Sequence, residues 1–171
     1  MADFTLYFPI ENVLEGTHYE DPANDQCNKF GLEVSDLNTY YQTEDKTCAD
    51  VAKLTSHTAA LIIKSLYWDF FLADDINDQQ LAMFIVDSGL NEGTGLIAHA
   101  VQEIVGVTAD GIPGTHTLKA INNFNAFELY CKLYGYRLRR YDEIVSENDD
   151  EQEFYTGWIN RLNTVSFIPK V

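Results

Sequence analysis

Basic residues are scarce in this chain of 171 residues: 11 lysines and arginines stand against 27 aspartates and glutamates, and the formal net charge is −16. A protein that binds a phosphate backbone needs a basic face, and so does one that adheres to anionic lipids. We therefore expect neither nucleic acid nor an anionic membrane surface as a partner. The candidates for a local basic face lie on one predicted helix: Lys132, Arg137, Arg139 and Arg140.

Long apolar runs and a leader segment are also missing. The most apolar stretch, residues 59–72, is interrupted by Lys64 and Asp69, which leaves it too short to span a membrane. The first four residues show no positive region followed by an apolar one. We expect a protein that is made in a cytoplasm without a signal peptide and that does not insert into a membrane.

Cysteine and histidine are too few to build a disulfide framework or a zinc site. Cys27, Cys48 and Cys131 are widely spaced, and the four histidines share no ligand spacing. We expect no metal and no cofactor. Free thiols are the favoured interpretation, with a Cys27–Cys48 bridge as the alternative.

Helical periodicity dominates what is present. Apolar residues make up 46% of the sequence and recur at helical spacing, which predicts about eight helices, with strand-like texture limited to residues 29–34 and, as an open alternative, Tyr19. Pro9 suits the first turn of a helix. Polar residues that suit N-caps precede several later helices: Ser35, Thr55, Thr94 and Asn125.

Glu15 differs from the other carboxylates in its setting. It follows Val13-Leu14 and precedes Gly16, where the first predicted helix should end. The dipole at a helix C-terminus disfavours an anion, and partial burial raises a carboxyl pKa, as a general acid at neutral pH requires. A surface carboxylate at a helix end is the alternative.

A polar loop follows Glu15 and can supply a second catalytic group. Glycoside hydrolysis normally needs a second carboxylate or a side chain that holds a water molecule. The loop of residues 17–28 offers several such groups: Glu20, Asp21, Asn24, Asp25 and Asn28. For each of them, taken singly, a side chain that caps the loop is favoured over a catalytic group.

An ordered set of motifs resembles glycoside hydrolase family 108. The set opens with Leu14-Glu15-Gly16, Asp21-Pro22, Asn24-Asp25 and Lys29-Phe30-Gly31-Leu32, and continues with Tyr67-Trp68-Asp69 and with Asn91 ahead of glycines. Residues 102–120, then Arg139-Arg140-Tyr141 and Gly157-Trp158, are similar to a C-terminal predicted peptidoglycan-binding region. The resemblance runs in order along nearly the whole chain.

The resemblance implies a mainly α, lysozyme-like fold. We expect a catalytic lobe at residues 1–92 and a smaller helical, peptidoglycan-binding-like lobe at 93–171, packed as one compact unit. The implied activity is that of a monomeric N-acetylmuramidase, which cuts between N-acetylmuramic acid and N-acetylglucosamine in peptidoglycan.

The resemblance also implies three catalytic positions. Glu15 is the acid, Asp25 is the nearest match to the loop aspartate of the family, and Asn28 is the closest occupant of the third position. The sequence departs from the family at Thr17 and at Gln26-Cys27, where the segment is one residue shorter.

The remaining predictions concern substrate binding and biological setting. Tyr67 and Trp68 are candidates for stacking on a sugar, with a core-facing pair as the alternative. Asn91 is a candidate for holding an N-acetyl group, with a helix-end amide as the alternative. We expect action on periplasmic or cell-wall peptidoglycan, as a phage lysin dependent on a holin. The other hypotheses are a catalytically impaired wall-binding or virion protein and an antibacterial effector with a cognate inhibitor.

Overall fold

The fold is mainly α, as predicted. A computed structural model describes residues 1–15 and 27–168, without the side chains of residues 10–15. Within these ranges the helices are α1 (Phe4–Glu15), α2 (Val34–Tyr41), α3 (Cys48–Ala52), α4 (Ser56–Ile63), α5 (Gln79–Glu92), α6 (Thr94–Val105), α7 (Thr115–Asn123), α8 (Ala126–Glu147) and α9 (Gln152–Thr164). A π-helical turn, Lys64–Trp68, continues α4, and 3₁₀ turns lie at Ala73–Asp75 and Asp149–Glu151.

Side-chain caps begin several of these helices. Thr55, Asp78 and Asn125 each accept a backbone N–H from the first turn that follows, at 3.2, 2.9 and 2.9 Å. Such bonds satisfy amides that have no partner inside the helix. The predicted caps at Thr55 and Asn125 are therefore confirmed.

Other helix starts differ from the prediction. α1 begins at Phe4, so Pro9 lies inside the helix and not in its first turn. The reason is Asp3, whose carboxylate accepts the N–H of Thr5 at 2.8 Å and so starts the helix earlier. Because proline has no backbone N–H, Pro9 cannot donate a hydrogen bond within the helix.

The start of α2 is set by a reciprocal pair of hydrogen bonds. Glu33 is the N-cap, and its backbone N–H donates to Asp36 at 2.8 Å, which completes a capping box. Ser35 is therefore inside the helix and is not its cap. Thr94 is likewise the first residue of α6, after the N-cap Gly93, whose φ of +95° suits glycine.

Residues 3–70 form one compact unit, which contains α1 to α4 and the π-helical turn. Its core consists of fully buried apolar side chains, among them Tyr7, Leu32, Val51, Ile62, Ile63 and Trp68. The strand-like segment at 29–34 is a tight turn in which Lys29 and Leu32 form only an isolated bridge.

Residues 71–171, together with Met1 and Ala2, form the other compact unit. α5 is its central helix and packs against α6 and α8. Apolar side chains of α5 are buried on several faces: Leu81, Ala82, Phe84, Ile85 and Val86. The boundary expected from sequence, between a catalytic lobe at 1–92 and a peptidoglycan-binding-like lobe at 93–171, stays a prediction. None of the helices in the described ranges has the length and apolar character of a membrane span.

A disulfide joins Cys27 and Cys48, so the expectation of free thiols is wrong for these two residues. The α carbons lie 5.5 Å apart, within the range that a disulfide needs. The fold brings Cys27 against Cys48, the first residue of α3. Spacing in the sequence does not reveal this proximity. Cys131 is a free, exposed thiol, as expected.

Candidate active site

The first candidate, Glu15, lies in α1, which is described as far as this residue. Its place at the C-terminal end of a helix stays a prediction. Two rings anchor this helix. Tyr7 stacks on Trp68 with ring centroids 5.8 Å apart, and Phe4 meets the same indole edge-on at 5.5 Å. The π-helical turn therefore holds the helix that carries the candidate acid.

Trp68 is this anchor because it is fully buried. A side chain enclosed between Tyr7 and Phe4 has no face left for a sugar ring. The structure thus favours the core-facing alternative for Trp68 over the predicted stacking on substrate.

Tyr67 is half-buried and forms a polar link within the same unit. Its hydroxyl donates to Asp36 at 2.5 Å, which ties the π-helical turn to the start of α2. Burial raises the pKa of Tyr67 well above its ordinary value, and the charges of Asp36 and Glu33 raise it further. Tyr67 is therefore a neutral donor, and its contact with a sugar remains a prediction.

Asn28 is half-buried and lies in a tight turn. Its side-chain oxygen accepts the N–H of Gly31 at 3.1 Å. Phe30 and Gly31 both adopt positive φ, 58° and 74°, which folds the chain back toward Asn28. The Asn28 amide NH₂ has no hydrogen-bond partner among the described residues, so it can donate to a water molecule or to a substrate oxygen.

The two neighbours of Asn28 are both fastened to the segment around α3. Cys27 is bonded to Cys48, and the Lys29 ammonium donates to the carbonyl oxygens of Ala52 and Leu54, each at 2.8 Å. Asn28 is therefore held on both sides by strong bonds. The sequence alone did not indicate this, because Lys29 resembles any surface lysine until its carbonyl partners are known.

Asn91 lies in the other unit, near the end of α5. Its NH₂ group donates to the carbonyl of Asp87 at 2.7 Å, and the residue is exposed. This contact fits the helix-end amide that was the alternative. Binding of an N-acetyl group by Asn91 remains a prediction.

The other loop candidates and the Glu15 carboxylate lie outside the described part of the chain. Asp25 is among them, together with Glu20, Asp21 and Asn24. Across residues 1–15 and 27–168, no group of three or more His, Cys, Asp and Glu side chains comes together as a metal site.

A buried ionic cluster in the second unit was not predicted. The Arg137 guanidinium, fully buried, donates to Asp87 at 3.0 Å and to Glu92 at 2.7 Å. Arg161 reaches the other oxygen of Asp87 at 2.9 Å, and Arg140 reaches the other oxygen of Glu92 at 3.0 Å. The signal available in sequence was Asp87-Ser88 within an otherwise apolar helix face.

The same charges explain the ionisation of Arg137. Burial alone lowers the pKa of a guanidinium, but the oxygens of Asp87, Tyr141 and Glu92 raise it, and the net pKa of Arg137 lies above its ordinary value. Three of the four candidates for a basic face are therefore occupied: Arg137 and Arg140 in this cluster, and Lys132 by Glu128 at 3.0 Å.

The glycine-containing segment after α6, residues 106–114, is a tight turn. Its organiser is the buried Gln102 side chain, which donates to Asp110 at 2.8 Å and accepts the N–H of Gly111 at 2.9 Å. Asp110 also accepts the N–H of Ile112 at 2.9 Å, and these hydrogen bonds lower the pKa of its carboxyl. Gly111 has a φ of +75°, which favours glycine.

Comparison with known proteins assigns both halves of the sequence. Residues 13–93 match the family described as glycosyl hydrolase 108, and residues 98–163 match the family described as a predicted peptidoglycan domain. The fold is similar to the solved structure of SagA from Brucella abortus, with a TM-score of 0.80 at 24% identity, over 95% of this chain and 90% of that one. No curated protein matches the sequence. The predicted family resemblance and fold class are confirmed.

Proposed function

We propose that this chain, which joins a glycosyl hydrolase 108 segment to a predicted peptidoglycan domain, is an N-acetylmuramidase. The observation that carries the proposal is the position of Glu15. It lies in α1 inside the matched segment and directly precedes Gly16. The glycine predicts a helix C-terminus there, and such a terminus favours the neutral form of a carboxyl group, which is the form that a general acid needs.

In the proposed reaction Glu15 gives its proton to the glycosidic oxygen as the bond from that oxygen to the muramic acid anomeric carbon breaks. Asp25, or a neighbour in its loop, stabilises the positive charge that develops on the sugar or positions the attacking water. The water supplies a hydroxyl to the anomeric carbon, and its proton passes to a loop carboxylate. No cofactor takes part.

Asn28 is proposed to position the water or a substrate oxygen. Support comes from its NH₂ group, which has no hydrogen-bond partner among the described residues, and from the disulfide and the two hydrogen bonds that fix its neighbours Cys27 and Lys29. An amide held in one place loses little freedom when it binds a ligand.

The proposed place of action is the periplasm or the cell wall. The Cys27–Cys48 disulfide supports this, since disulfides persist in oxidising compartments. A phage lysin released by a holin and an antibacterial effector with a cognate inhibitor are two settings for the same chemistry. In either setting the protein can act as a monomer.

The second candidate function is a wall-binding or virion protein that has lost hydrolysis. The departures at Thr17 and Gln26-Cys27 favour it, because they alter the loop that would hold the second catalytic group. In that case the predicted peptidoglycan domain would retain binding without turnover.

Mass spectrometry of digested peptidoglycan separates the two functions. Purified sacculi are incubated with the protein, and the soluble products are reduced with borohydride before analysis. A muramidase releases muropeptides whose reduced end is muramitol. Products with a reduced glucosamine end would contradict the proposal by naming another bond, and the absence of soluble products would favour the binding protein.

A further inference from the structure

An open cleft between α6 and α8 presents charged side chains that have no role in the proposed hydrolysis. Its volume is about 470 Å³, and it lies wholly within the second unit. One wall comes from α6, with Ala100, Glu103 and Ile104, and the other from α8, with Cys131, Lys132, Gly135, Tyr136 and Arg139.

Arg139 is the unusual residue of this cleft, because most cations of this acidic protein are already occupied. Among the basic residues of the described part, Arg139 and Lys119 make neither an ion pair nor a hydrogen bond. The other eight have acidic or carbonyl partners: Lys29, Lys46, Lys53, Lys64, Lys132, Arg137, Arg140 and Arg161. Only Arg139 of the two unpaired cations lines the cleft.

The surroundings of Arg139 leave its guanidinium accessible. Gly135, one turn earlier on α8, has no side chain, and a β carbon built there would lie 3.6 Å from the Arg139 Nη1 atom. The guanidinium therefore extends across bare backbone and remains exposed. A planar guanidinium with free N–H groups is suited to bidentate binding of a carboxylate.

The opposite wall supplies the complementary charge. Glu103 has a side chain that is 62% exposed, and its contact with His99, at 3.8 Å, is long. The cleft thus presents an unpaired cation on α8 and an accessible anion on α6. A ligand that carries both carboxylate and ammonium groups would match this pattern, whereas an uncharged sugar would not use it.

We propose that this cleft binds the stem peptide of peptidoglycan, with Arg139 on a stem carboxylate and Glu103 on a stem ammonium group. The proposal rests on the proposed action on peptidoglycan, and on the match of residues 98–163 to a predicted peptidoglycan domain. It assigns the charged peptide, and not the glycan, to this surface. It also explains how a chain of charge −16 can hold an anionic wall through one local contact.

Cys131 makes the cleft directly observable, because it is a free, exposed thiol that lines it. The rate at which a maleimide labels Cys131 is measured on the full chain, with and without a soluble disaccharide-tetrapeptide muropeptide. This probe lacks the bond that a muramidase cuts, so it survives the assay. Chitotetraose is the uncharged glycan control.

The expected result is that saturating muropeptide slows labelling several-fold while chitotetraose does not. Arg139→Gln should raise the muropeptide concentration that gives half-protection by about tenfold, equivalent to a loss of about 1.4 kcal/mol of binding free energy. Lys119→Gln, which removes the other unpaired cation, is the matched control and should behave as wild type. Circular dichroism of each variant verifies that it is folded.

Three results would overturn the cleft assignment: no protection by muropeptide, equal protection by chitotetraose, or equal losses in Arg139→Gln and Lys119→Gln. Hydrolysis of sacculi by the wild type is measured alongside. Hydrolysis without protection contradicts the cleft alone. Protection without hydrolysis supports the cleft and contradicts the proposed muramidase.

Discussion

The two compact units of this protein are stabilised in different ways. In residues 3–70, a disulfide, a lysine bound to two carbonyl groups and a buried tryptophan fix the backbone near the candidate catalytic residues. In residues 71–171, a buried cluster of arginines and carboxylates joins α5 to α8 and α9. Among the residues whose burial is described, the most buried carboxylate, Asp87, lies in this structural cluster.

The largest stability effect should come from removing the centre of the ionic cluster. Arg137→Met leaves Asp87 and Glu92 buried without their main partner, and breaking a buried pair in this way costs about 3–5 kcal/mol. Urea unfolding followed by circular dichroism measures the loss. Arg139→Met on the same helix is the control, since the loss at an exposed site is within about 0.5 kcal/mol. Equal losses in both variants would mean that the cluster contributes little.

The disulfide should be the corresponding element of the first unit. It closes a loop with a sequence separation of 21 residues, and cross-linking a loop of this size stabilises a fold by about 3 kcal/mol. The double substitution Cys27→Ser/Cys48→Ser should lose this amount in urea unfolding, and dithiothreitol should produce the same loss in wild type. Cys131→Ser should change nothing. Stability that is insensitive to dithiothreitol would contradict the role given to the bridge.

A smaller effect is expected at Tyr67, whose hydroxyl links the π-helical turn to α2. Tyr67→Phe should cost about 1.5–3 kcal/mol at neutral pH, the loss of a hydrogen bond to a charged group. The pKa of Tyr67 is raised in the folded protein, so the contribution is complete below the unfolded value of about 10 and declines above it. The stability difference between wild type and variant should therefore shrink from pH 9 to pH 11. A difference that grows with pH would contradict the raised pKa.

Much of the helical pattern could be predicted from local signals. Thr55 and Asn125 are caps because their oxygens bind amides three residues ahead, and that rule needs no tertiary information. Glu15 was placed at a helix end because glycine follows it. These features depend on neighbours in sequence.

Features that depend on distant residues were missed. Cys27 meets Cys48, Lys29 meets Ala52, and Arg137 meets Asp87 only after the chain has folded. Trp68 shows the same limit of prediction from sequence. Its aromatic ring suits both a sugar cleft and a core, and only burial against Tyr7 decided between them.

The smallest expected effect on activity concerns the groups that assist the acid. Asn28→Ala removes one positioned amide donor, and a hydrogen bond of about 0.5–1.5 kcal/mol corresponds to a loss of roughly twofold to twelvefold in rate. Asp25→Asn should give a smaller loss than substitution of the acid. The measurement is release of reducing ends from purified sacculi. Full activity in both variants would move the second role to Asp21, Glu20 or a residue outside the loop.

The central claim is that Glu15 is the catalytic acid, and its removal tests this most directly. Initial rates of reducing-end release are compared for wild type and Glu15→Gln on the same sacculi, with unfolding curves to verify that stability is unchanged. General acid catalysis contributes about 10²–10⁴-fold, so the variant should lose at least about 100-fold. A Glu15→Gln protein that is folded and retains near-wild-type rates would contradict the assignment.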